Sequence, residues 1–178
     1  ITKDKGINEL LEAFKVIASE KSDICLLLVG NFEEKHNLDL ELLNWAQKSD
    51  KVIFIGGVND IERYYACLDV LILPSYREGF GNVLIEAQAM GVPVIVSNIP
   101  GPIDAMIDRV TGIVVDVKSV DSLVNGIKKM LNVDFRHFCS KNSVEYVCNN
   151  FDSRVLCKKI LERKNKLLGI GEYYNIYI

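Results

Sequence analysis

The sequence predicts an α/β domain of the Rossmann-like, doubly wound type, in which helices cover both faces of a parallel sheet. Two observations lead to this prediction. Several short runs are apolar at every position, as expected of parallel strands that are buried on both faces. Amphipathic segments with apolar residues at helical spacing lie between these runs, and strands that alternate with helices form right-handed βαβ units.

The predicted strands are distributed over the first two thirds of the chain and have ordinary strand lengths. They comprise residues 24–29, 52–55, 70–73, 92–96 and 112–115. None of these apolar runs is long enough to cross a bilayer as a helix.

Segments with helical periodicity separate the strands. They comprise residues 7–18, 38–48, 61–68, 82–90, 102–108 and 120–131. Ser119 is placed to cap the last of these helices. From Val133 onward the pattern is helical without a further strand, and Phe151-Asp152 predicts a staple and cap for a final helix, with Phe151 packed on Leu156. The sequence thus divides into a domain over residues 1–150 and a C-terminal helix and tail over 151–178.

Composition and charge exclude several classes of protein. The chain has 178 residues, of which 49% are hydrophobic and 25% charged, as in an ordinary globular domain. Its net charge is −3, and no broad field of lysine and arginine suits a nucleic-acid backbone. The chain begins at Ile1 without a signal peptide, so we expect it to be a piece of a longer protein.

The cysteines and histidines predict no metal site and no disulfide framework. The five cysteines are widely spaced and contain no Cys-x-x-Cys pair. We expect free thiols in a reducing cytosol, with Cys25 and Cys67 as small core residues. His36 and His137 have no companions at ligand spacing.

The segment most informative about chemistry follows the third predicted strand. After Pro74, a polar loop containing Glu78, Gly79 and Gly81 leads to a helix that begins near Asn82. Ligands of open α/β sheets bind beyond the carboxyl ends of the strands. Glycines let the backbone approach a ligand closely, and free N–H groups at a helix start suit a phosphate. Such a loop also occurs as a plain tight turn, so the residues alone leave both interpretations open.

Glu86 lies within the predicted helix. A helical wheel places it at the border of an apolar stripe formed by Val83, Ala87 and Met90, with Ile85 on the far side. The helix is therefore expected to be central and apolar nearly all round. A carboxylate at such a position needs a partner, either a ligand hydroxyl or a group of the protein.

The stretch from Glu78-Gly79-Phe80-Gly81 to Glu86 resembles the Glu-x7-Glu signature of retaining, two-domain (GT-B) glycosyltransferases of family 4. The flanking sequence segments also resemble those of that family and occur in the same order, and the similarity covers roughly residues 1–151. The flanking matches are Lys5-Gly6, Pro74-Ser75, the run 90–95 and the run 111–115. The resemblance implies that residues 1–150 are the C-terminal, nucleotide-sugar-binding half of a GT-B fold, whose N-terminal acceptor-binding domain lies outside this chain.

The resemblance also implies roles for individual residues. Glu78 would orient the donor sugar, and Lys5 would neutralise the departing diphosphate, which gains charge as the glycosidic bond breaks. Because this cluster can take the place of a cation, we expect no obligatory metal and no cofactor. Further donor-binding positions are the backbone amides of Phe80, Gly81 and Asn82, Glu86 on the ribose, and Val58 near the base.

Two departures from the family pattern concern the same site. The arginine that pairs with the family's lysine would stand just before Ile1. In the family's Gly-x-Pro-Glu segment, Asp104 replaces the glutamate, and the glycine before Thr111 is absent.

The leading hypothesis is transfer of a hexose, with retention, from a nucleotide diphospho-sugar to a glycan or lipid-linked acceptor. UDP-sugars are favoured because they are the commonest donors of the resembling group. The fragment alone is expected to be inactive, and the full protein to be cytoplasmic, at most peripheral at the inner membrane face. The alternatives are a non-catalytic nucleotide-binding module, a nucleotide-sugar epimerase of the same architecture, and a flavodoxin-like signalling domain.

Overall fold

The computed structural model describes residues 1–32 and 38–169. The prediction for His36 and the tail that follows Gly169 lie outside the described residues. In the described ranges, all five predicted strands are present, within two residues of their expected starts. They are β1 (Leu26–Val29), β2 (Val52–Gly56), β3 (Leu71–Leu73), β4 (Val94–Ser97) and β5 (Gly112–Val115). β4 begins after Pro93, because proline has no backbone N–H to give to the ladder.

Helices precede, connect and follow the strands. They are α1 (Ile7–Glu20), α2 (Leu40–Lys48), α3 (Ile61–Tyr65), α4 (Asn82–Ala89), α5 (Val120–Met130), α6 (Val133–Phe151) and α7 (Ser153–Leu168). Side-chain caps fix several starts: the Ser119 hydroxyl accepts from Ser122 N, as predicted, and Asp39 accepts from Glu41 N and Leu42 N. A short 3-10 turn, Lys3–Lys5, precedes α1.

Every pair among these five described strands is parallel, as the apolar runs predict, but hydrogen bonding divides the five strands into two sheets. β1 pairs with β2, and β4 lies between β3 and β5. An apolar crevice separates β1 from β3. α1 and α5 pack together on one face and bury Leu11, Ile17 and Leu123 against the strands.

Three local expectations are wrong. On α4 the buried residues are Leu84, Ala87 and Gln88, because the face that carries them packs toward β4 and the Pro102–Ala105 turn. Val83 and Met90 are exposed. The helix predicted over 102–108 is only this short 3-10 turn.

The third wrong expectation concerns the cysteines: Cys25 and Cys67 are exposed, and of the five free thiols only Cys139 is buried. Cys67 lies in the turn after α3, outside the packed face of that helix.

The C-terminal helices differ from the rest of the fold. α6 packs on α4, whereas α7 has no buried residue. Asp152 caps α7 by accepting from Arg154 N at 2.8 Å, as predicted. The Phe151 ring lies 5.5 Å from the rings of Phe80 and Tyr146, so it packs toward the loop after β3. In residues 1–32 and 38–169, no helix has both the length and the apolar composition needed to span a bilayer.

Candidate active site

Backbone and side-chain contacts hold the Lys3–Lys5 turn against the loop that follows β3. Tyr76 N donates to the Asp4 carbonyl at 2.8 Å, and the Arg77 guanidinium binds the Asp4 carboxylate at 2.6 and 2.8 Å. Two segments more than 70 residues apart in sequence therefore meet at the carboxyl end of β3.

Gly6 makes this close approach possible. Its φ is +68°, and a Cβ built there would lie 2.1 Å from the Pro74 carbonyl oxygen. Both the left-handed backbone and the contact exclude other residues without a shift of the chain. The Lys5-Gly6 pair of the sequence thus has a physical basis: the glycine lets the turn touch the loop, and the lysine points into the site.

Lys5 and Glu78, the two residues predicted to be catalytic, form an ion pair. The Glu78 side chain is only 18% exposed, whereas that of Lys5 is 43% exposed. Glu78 also receives a weak hydrogen bond from Gly79 N at 3.3 Å, and the buried Ser75 hydroxyl lies 3.5 Å away. The carboxylate is therefore oriented from several sides, while the ammonium remains accessible.

The start of α4 lies beside this pair. Gly81 adopts a left-handed conformation with φ +78°, and its carbonyl accepts from Leu84 N at 2.8 Å as the first turn forms. At a helix start, the backbone N–H groups that lack an intrahelical partner carry a partial positive charge. Phe80, Gly81 and Asn82 line the same crevice as the ion pair.

Tertiary contacts from two other regions support this loop. Gly101, after β4, has φ +95°, and a Cβ there would lie 1.7 Å from the Gly79 carbonyl oxygen. The Phe80 ring is 40% exposed and packs on Phe151 at the junction of α6 and α7. Sequence reasoning missed these contacts, and no spacing in the chain indicates them.

Glu86 does not line the crevice that contains the Lys5–Glu78 pair. It is exposed on α4 and accepts a hydrogen bond from the Tyr65 hydroxyl at 2.9 Å. Tyr65 itself is 3% exposed, and burial, together with the bond to Glu86, raises the pKa of its hydroxyl above its ordinary value. The sequence left either a ligand hydroxyl or a group of the protein as the partner of Glu86. In the structure the partner is a group of the protein, the Tyr65 hydroxyl.

Val58 lies in the loop after β2 and is half-buried. The Asn31 amide oxygen accepts from Gly57 N at 2.9 Å and so ties this loop to the end of β1. Among the described residues that line the crevice, neither Val58 nor Glu86 is present. The structure thus brings five of the seven predicted site residues together in one crevice, whose lining does not include the other two.

A second network surrounds the Lys3–Lys5 turn and was not predicted. The Tyr76 hydroxyl donates to the Glu9 carboxylate at 2.6 Å, and the Lys118 ammonium lies 4.7 Å above the Tyr76 ring centroid. Burial, followed by the Glu9 contact, raises the pKa of Tyr76 above its ordinary value. Lys118, in the loop after β5, has a φ of +58°, which is unusual for a residue with a side chain.

Asp104 and Thr111, where the sequence departs from the family pattern, have structural partners. The Asp104 carboxylate accepts from Gly101 N at 3.2 Å, and the Thr111 hydroxyl accepts from Ile107 N at 2.9 Å. Over residues 1–32 and 38–169, no group of three or more His, Cys, Asp or Glu side chains is arranged to hold a metal ion.

Comparison with known proteins identifies the family. Residues 1–145 match the family described as glycosyl transferases group 1. The match covers most of the chain, and the chain belongs to this family.

Relatives show the same relationship in detail. The capsular polysaccharide biosynthesis glycosyltransferase CapM of Staphylococcus aureus is 34% identical over 173 residues, which are 97% of this chain and 46% of CapM. A UDP-Gal:alpha-D-GlcNAc-diphosphoundecaprenol alpha-1,3-galactosyltransferase of Escherichia coli is 28% identical over 73% of this chain and 34% of its own length. The chain thus spans about half, or less, of these relatives.

A solved structure supports the position of the chain within the fold. The C-terminal domain of the group 1 glycosyl transferase LpcC from Francisella tularensis superposes with a TM-score of 0.77 at 25% identity. The match covers 86% of this chain and 83% of that domain. The chain therefore corresponds to the C-terminal half of a GT-B glycosyltransferase.

Proposed function

We propose that this chain is the donor-binding half of a retaining glycosyltransferase that transfers a sugar from a nucleotide diphospho-sugar to a glycan or lipid-linked acceptor. The observation that carries the proposal is the Lys5–Glu78 ion pair beside the start of α4. A cation, a half-buried carboxylate and the N–H groups at the start of a helix face one crevice at the carboxyl end of β3. This combination suits an anionic diphosphate that is linked to a polyhydroxylated sugar.

Lys5 supplies charge stabilisation in the proposed reaction. As the bond between sugar and diphosphate breaks, negative charge accumulates on the phosphate oxygens. An ammonium fixed in advance stabilises that charge more in the transition state than in the ground state. The charge of Lys5 makes a divalent cation unnecessary in this proposal, and no cofactor is required.

Glu78 has two proposed roles. It holds the Lys5 ammonium in place, and its less exposed carboxylate accepts hydrogen bonds from donor-sugar hydroxyls. The amides of Phe80, Gly81 and Asn82 donate to the phosphates or sugar from the start of α4, where the helix dipole favours negative charge.

Glu86 and Val58 are assigned to the nucleoside. One Glu86 oxygen accepts from Tyr65, so the other oxygen can accept from a ribose hydroxyl. Val58, in the loop after β2, offers an apolar contact for the base. Uridine is the favoured base, because the E. coli galactosyltransferase relative is named for a UDP-sugar.

The whole protein requires an acceptor-binding domain, so this chain alone should bind nucleotide weakly and transfer little. We place the protein in the cytoplasm. The basic side chains of α7 are compatible with a peripheral position at the inner membrane face, near a lipid-linked acceptor. They are Lys158, Lys159, Arg163, Lys164 and Lys166.

Titration calorimetry of the full-length protein with UDP, GDP and ADP tests the proposal. We expect saturable binding of one nucleotide, weakened by about tenfold in Glu86→Gln, because one hydrogen bond to a charged group is lost. Glu20→Gln is the matched control. Glu20 is the last residue of α1, at the end of that helix opposite to Lys5, and it pairs with Lys128. Failure of all three nucleotides to bind the full-length protein would contradict the proposal.

Incubation with nucleotide-sugars and separation of the products distinguish the alternatives. Transfer with retained anomeric configuration supports the proposal. Binding without any turnover across a panel of acceptors would favour a non-catalytic module, and a stereochemical change within an intact nucleotide-sugar would favour an epimerase.

A further inference from the structure

Glu86, which the proposed function assigns to the ribose, lies on α4, and α4 packs against α3. α3 follows directly on the loop that contains Val58, the residue assigned to the base. The last residue of α3 is Tyr65, whose hydroxyl donates to Glu86 Oε2 at 2.9 Å. This bond therefore joins α4 to the helix that begins beside the proposed base contact.

The ring of Tyr65 is fixed by the core. Tyr65 is the single buried residue of α3, at 3% exposure, and it packs in an apolar cluster with Ala87 and Val92, beside Leu68 and Leu71. A tyrosine side chain has only two torsions, and close packing restricts both of them. The direction in which the hydroxyl points is therefore determined by contacts that involve no ligand.

The acceptor of this hydroxyl is an exposed side chain. Glu86 lies on a face of α4 that is open to solvent. A glutamate on the surface samples many rotamers, and ordering it costs conformational entropy. In the part of the chain that the structure describes, Tyr65 is the only residue that donates a hydrogen bond to the Glu86 carboxylate. The orientation of this carboxylate therefore depends on Tyr65.

The chemistry of the pair determines which group donates. Burial, followed by the bond to Glu86 and its charge, raises the pKa of the Tyr65 hydroxyl above its ordinary value, so the hydroxyl keeps its proton at neutral pH. An ionised carboxylate only accepts, and its two oxygens offer about four lone-pair sites. Oε2 accepts from Tyr65, which leaves Oε1 for donors from outside the chain. The two adjacent hydroxyls of a ribose are donors of this kind.

We propose that Tyr65 is a positioning residue for nucleotide binding, which holds Glu86 in the orientation that accepts from the ribose hydroxyls. The assignment rests on the proposed function, because it requires Glu86 to bind the ribose. Tyr65 acts through Glu86: it orders the carboxylate before the nucleotide arrives, so less freedom is lost on binding. A tyrosine that only joined two helices would stabilise the fold and leave the affinity for nucleotide unchanged.

Titration calorimetry of the full-length protein tests the proposal with two probes. The first is whichever of UDP, GDP and ADP binds the parent protein, and the second is the 2′,3′-dideoxy form of that nucleotide, which lacks both ribose hydroxyls. We expect Tyr65→Phe, which keeps the buried ring, to weaken binding of the first probe about 3- to 10-fold, because Glu86 must then be ordered during binding. Its affinity for the dideoxy form should change less than about twofold, since that probe offers Glu86 no hydroxyl.

Glu86→Ala and the double variant complete a double-mutant cycle. If Tyr65 acts through Glu86, Tyr65→Phe should have no further effect in the Glu86→Ala background, because residues that act as one unit are not additive. Tyr64→Phe is the matched control, since it removes a hydroxyl from the preceding residue of the same helix, and we expect it to bind as the parent protein does. Urea unfolding of each variant reports that the fold is retained.

Three outcomes would overturn the assignment alone, while nucleotide binding by the parent protein still supports the proposed function. Tyr65→Phe that binds the first probe as tightly as the parent protein would leave Tyr65 as a link between two helices. Equal weakening for the nucleotide and its dideoxy form would mean that the effect does not pass through the ribose. An additive loss in the Glu86→Ala background would mean that it does not pass through Glu86.

A different outcome would reach further. A full-length parent protein that binds none of the three nucleotides would contradict the proposed function, and the assignment of Tyr65 would fail with it. The two failures are thus distinguished by the parent protein itself, before any variant is compared.

Discussion

The two ends of the parallel strands carry lysine–glutamate pairs that differ in their surroundings. At the amino ends, Lys128 pairs with Glu20 at 2.8 Å, and at the carboxyl ends Lys5 pairs with Glu78. The lysine side chains are equally exposed, at 44% and 43%, but the glutamates are 48% and 18% exposed. The first pair joins two solvated helix ends, whereas the second lies between a glycine turn and the start of a helix.

This difference shows what distinguishes a site from a surface ion pair. Exposed pairs contribute little free energy, because water screens the charges and the side chains lose conformational freedom. At the carboxyl ends, backbone contacts through Gly6 and Tyr76 position the charges before any ligand arrives. We therefore expect substitutions at the two ends to differ in kind, and four predictions follow in order of decreasing effect.

Gly6→Ala should have the largest effect. The added Cβ would lie 2.1 Å from the Pro74 carbonyl oxygen on a backbone with φ +68°. We expect a loss of about 3–5 kcal/mol in the free energy of unfolding, measured with urea, because both strain and a backbone clash are introduced. Gly79→Ala is the control, since a Cβ there meets nothing within 4 Å. Equal losses in the two variants would show that the turn does not depend on this contact.

Lys5→Met should reduce sugar transfer by the full-length protein about 100-fold, or about 2.7 kcal/mol, because one fixed charge is removed from the transition state. Lys128→Met should change the rate by less than about threefold, since an exposed pair far from the site contributes at most about 0.5 kcal/mol. The measurement is kcat at saturating donor. Similar rates for the two variants would contradict the role proposed for Lys5.

Tyr76→Phe should have a moderate, pH-dependent effect. The pKa of Tyr76 is raised above its ordinary value of 10.0, so the folded chain retains a proton that the unfolded chain releases. The stabilisation linked to this proton is present below pH 10 and is lost as the pH rises further.

We expect Tyr76→Phe to lose about 1 kcal/mol of stability at pH 8, since one hydrogen bond to a carboxylate disappears. Its stability should also decline less steeply above pH 10, as followed by urea midpoints from pH 8 to 11. Tyr64→Phe on α3 serves as the comparison. An unchanged alkaline slope in Tyr76→Phe would exclude Tyr76 as the titrating group.

Lys128→Met should have the smallest effect on stability, at most about 0.5 kcal/mol, and this difference should vanish in 1 M salt because the pair is screened. Thermal melts at low and high salt provide the measurement. A loss above about 2 kcal/mol would mean that the amino-end pair does more than bridge two solvated helices.

Much of the fold could be predicted because its signals are local. The aliphatic runs locate all five strands, and Ser119 and Asp152 cap the helices that they were expected to cap. Which face of α4 is buried could not be predicted. Its apolar residues surround the helix, so contacts with β4 and the Pro102–Ala105 turn decide that Leu84 is buried and Val83 exposed.

The candidate site divides in the same way. Glu78, Gly81 and Asn82 were identifiable because one short segment contains a strand end, a glycine and a helix start. Lys5 was identifiable only from the family resemblance, since nothing local joins it to Glu78. Phe151 and Gly101 were missed, because their contacts with the loop cross from distant elements.

The sequence by itself determined the α/β class, the strand positions, the loop at the carboxyl end of β3 and the family, since each depends on residue types within short segments and on the order of those segments along the chain. The tertiary structure decided which residues meet: Lys5 with Glu78, Tyr65 with Glu86, and Phe80 with Phe151. It also decided that the strands form two sheets with a crevice between them. These features depend on packing between segments distant in sequence, where the free energy comes from shape and burial that no local pattern encodes.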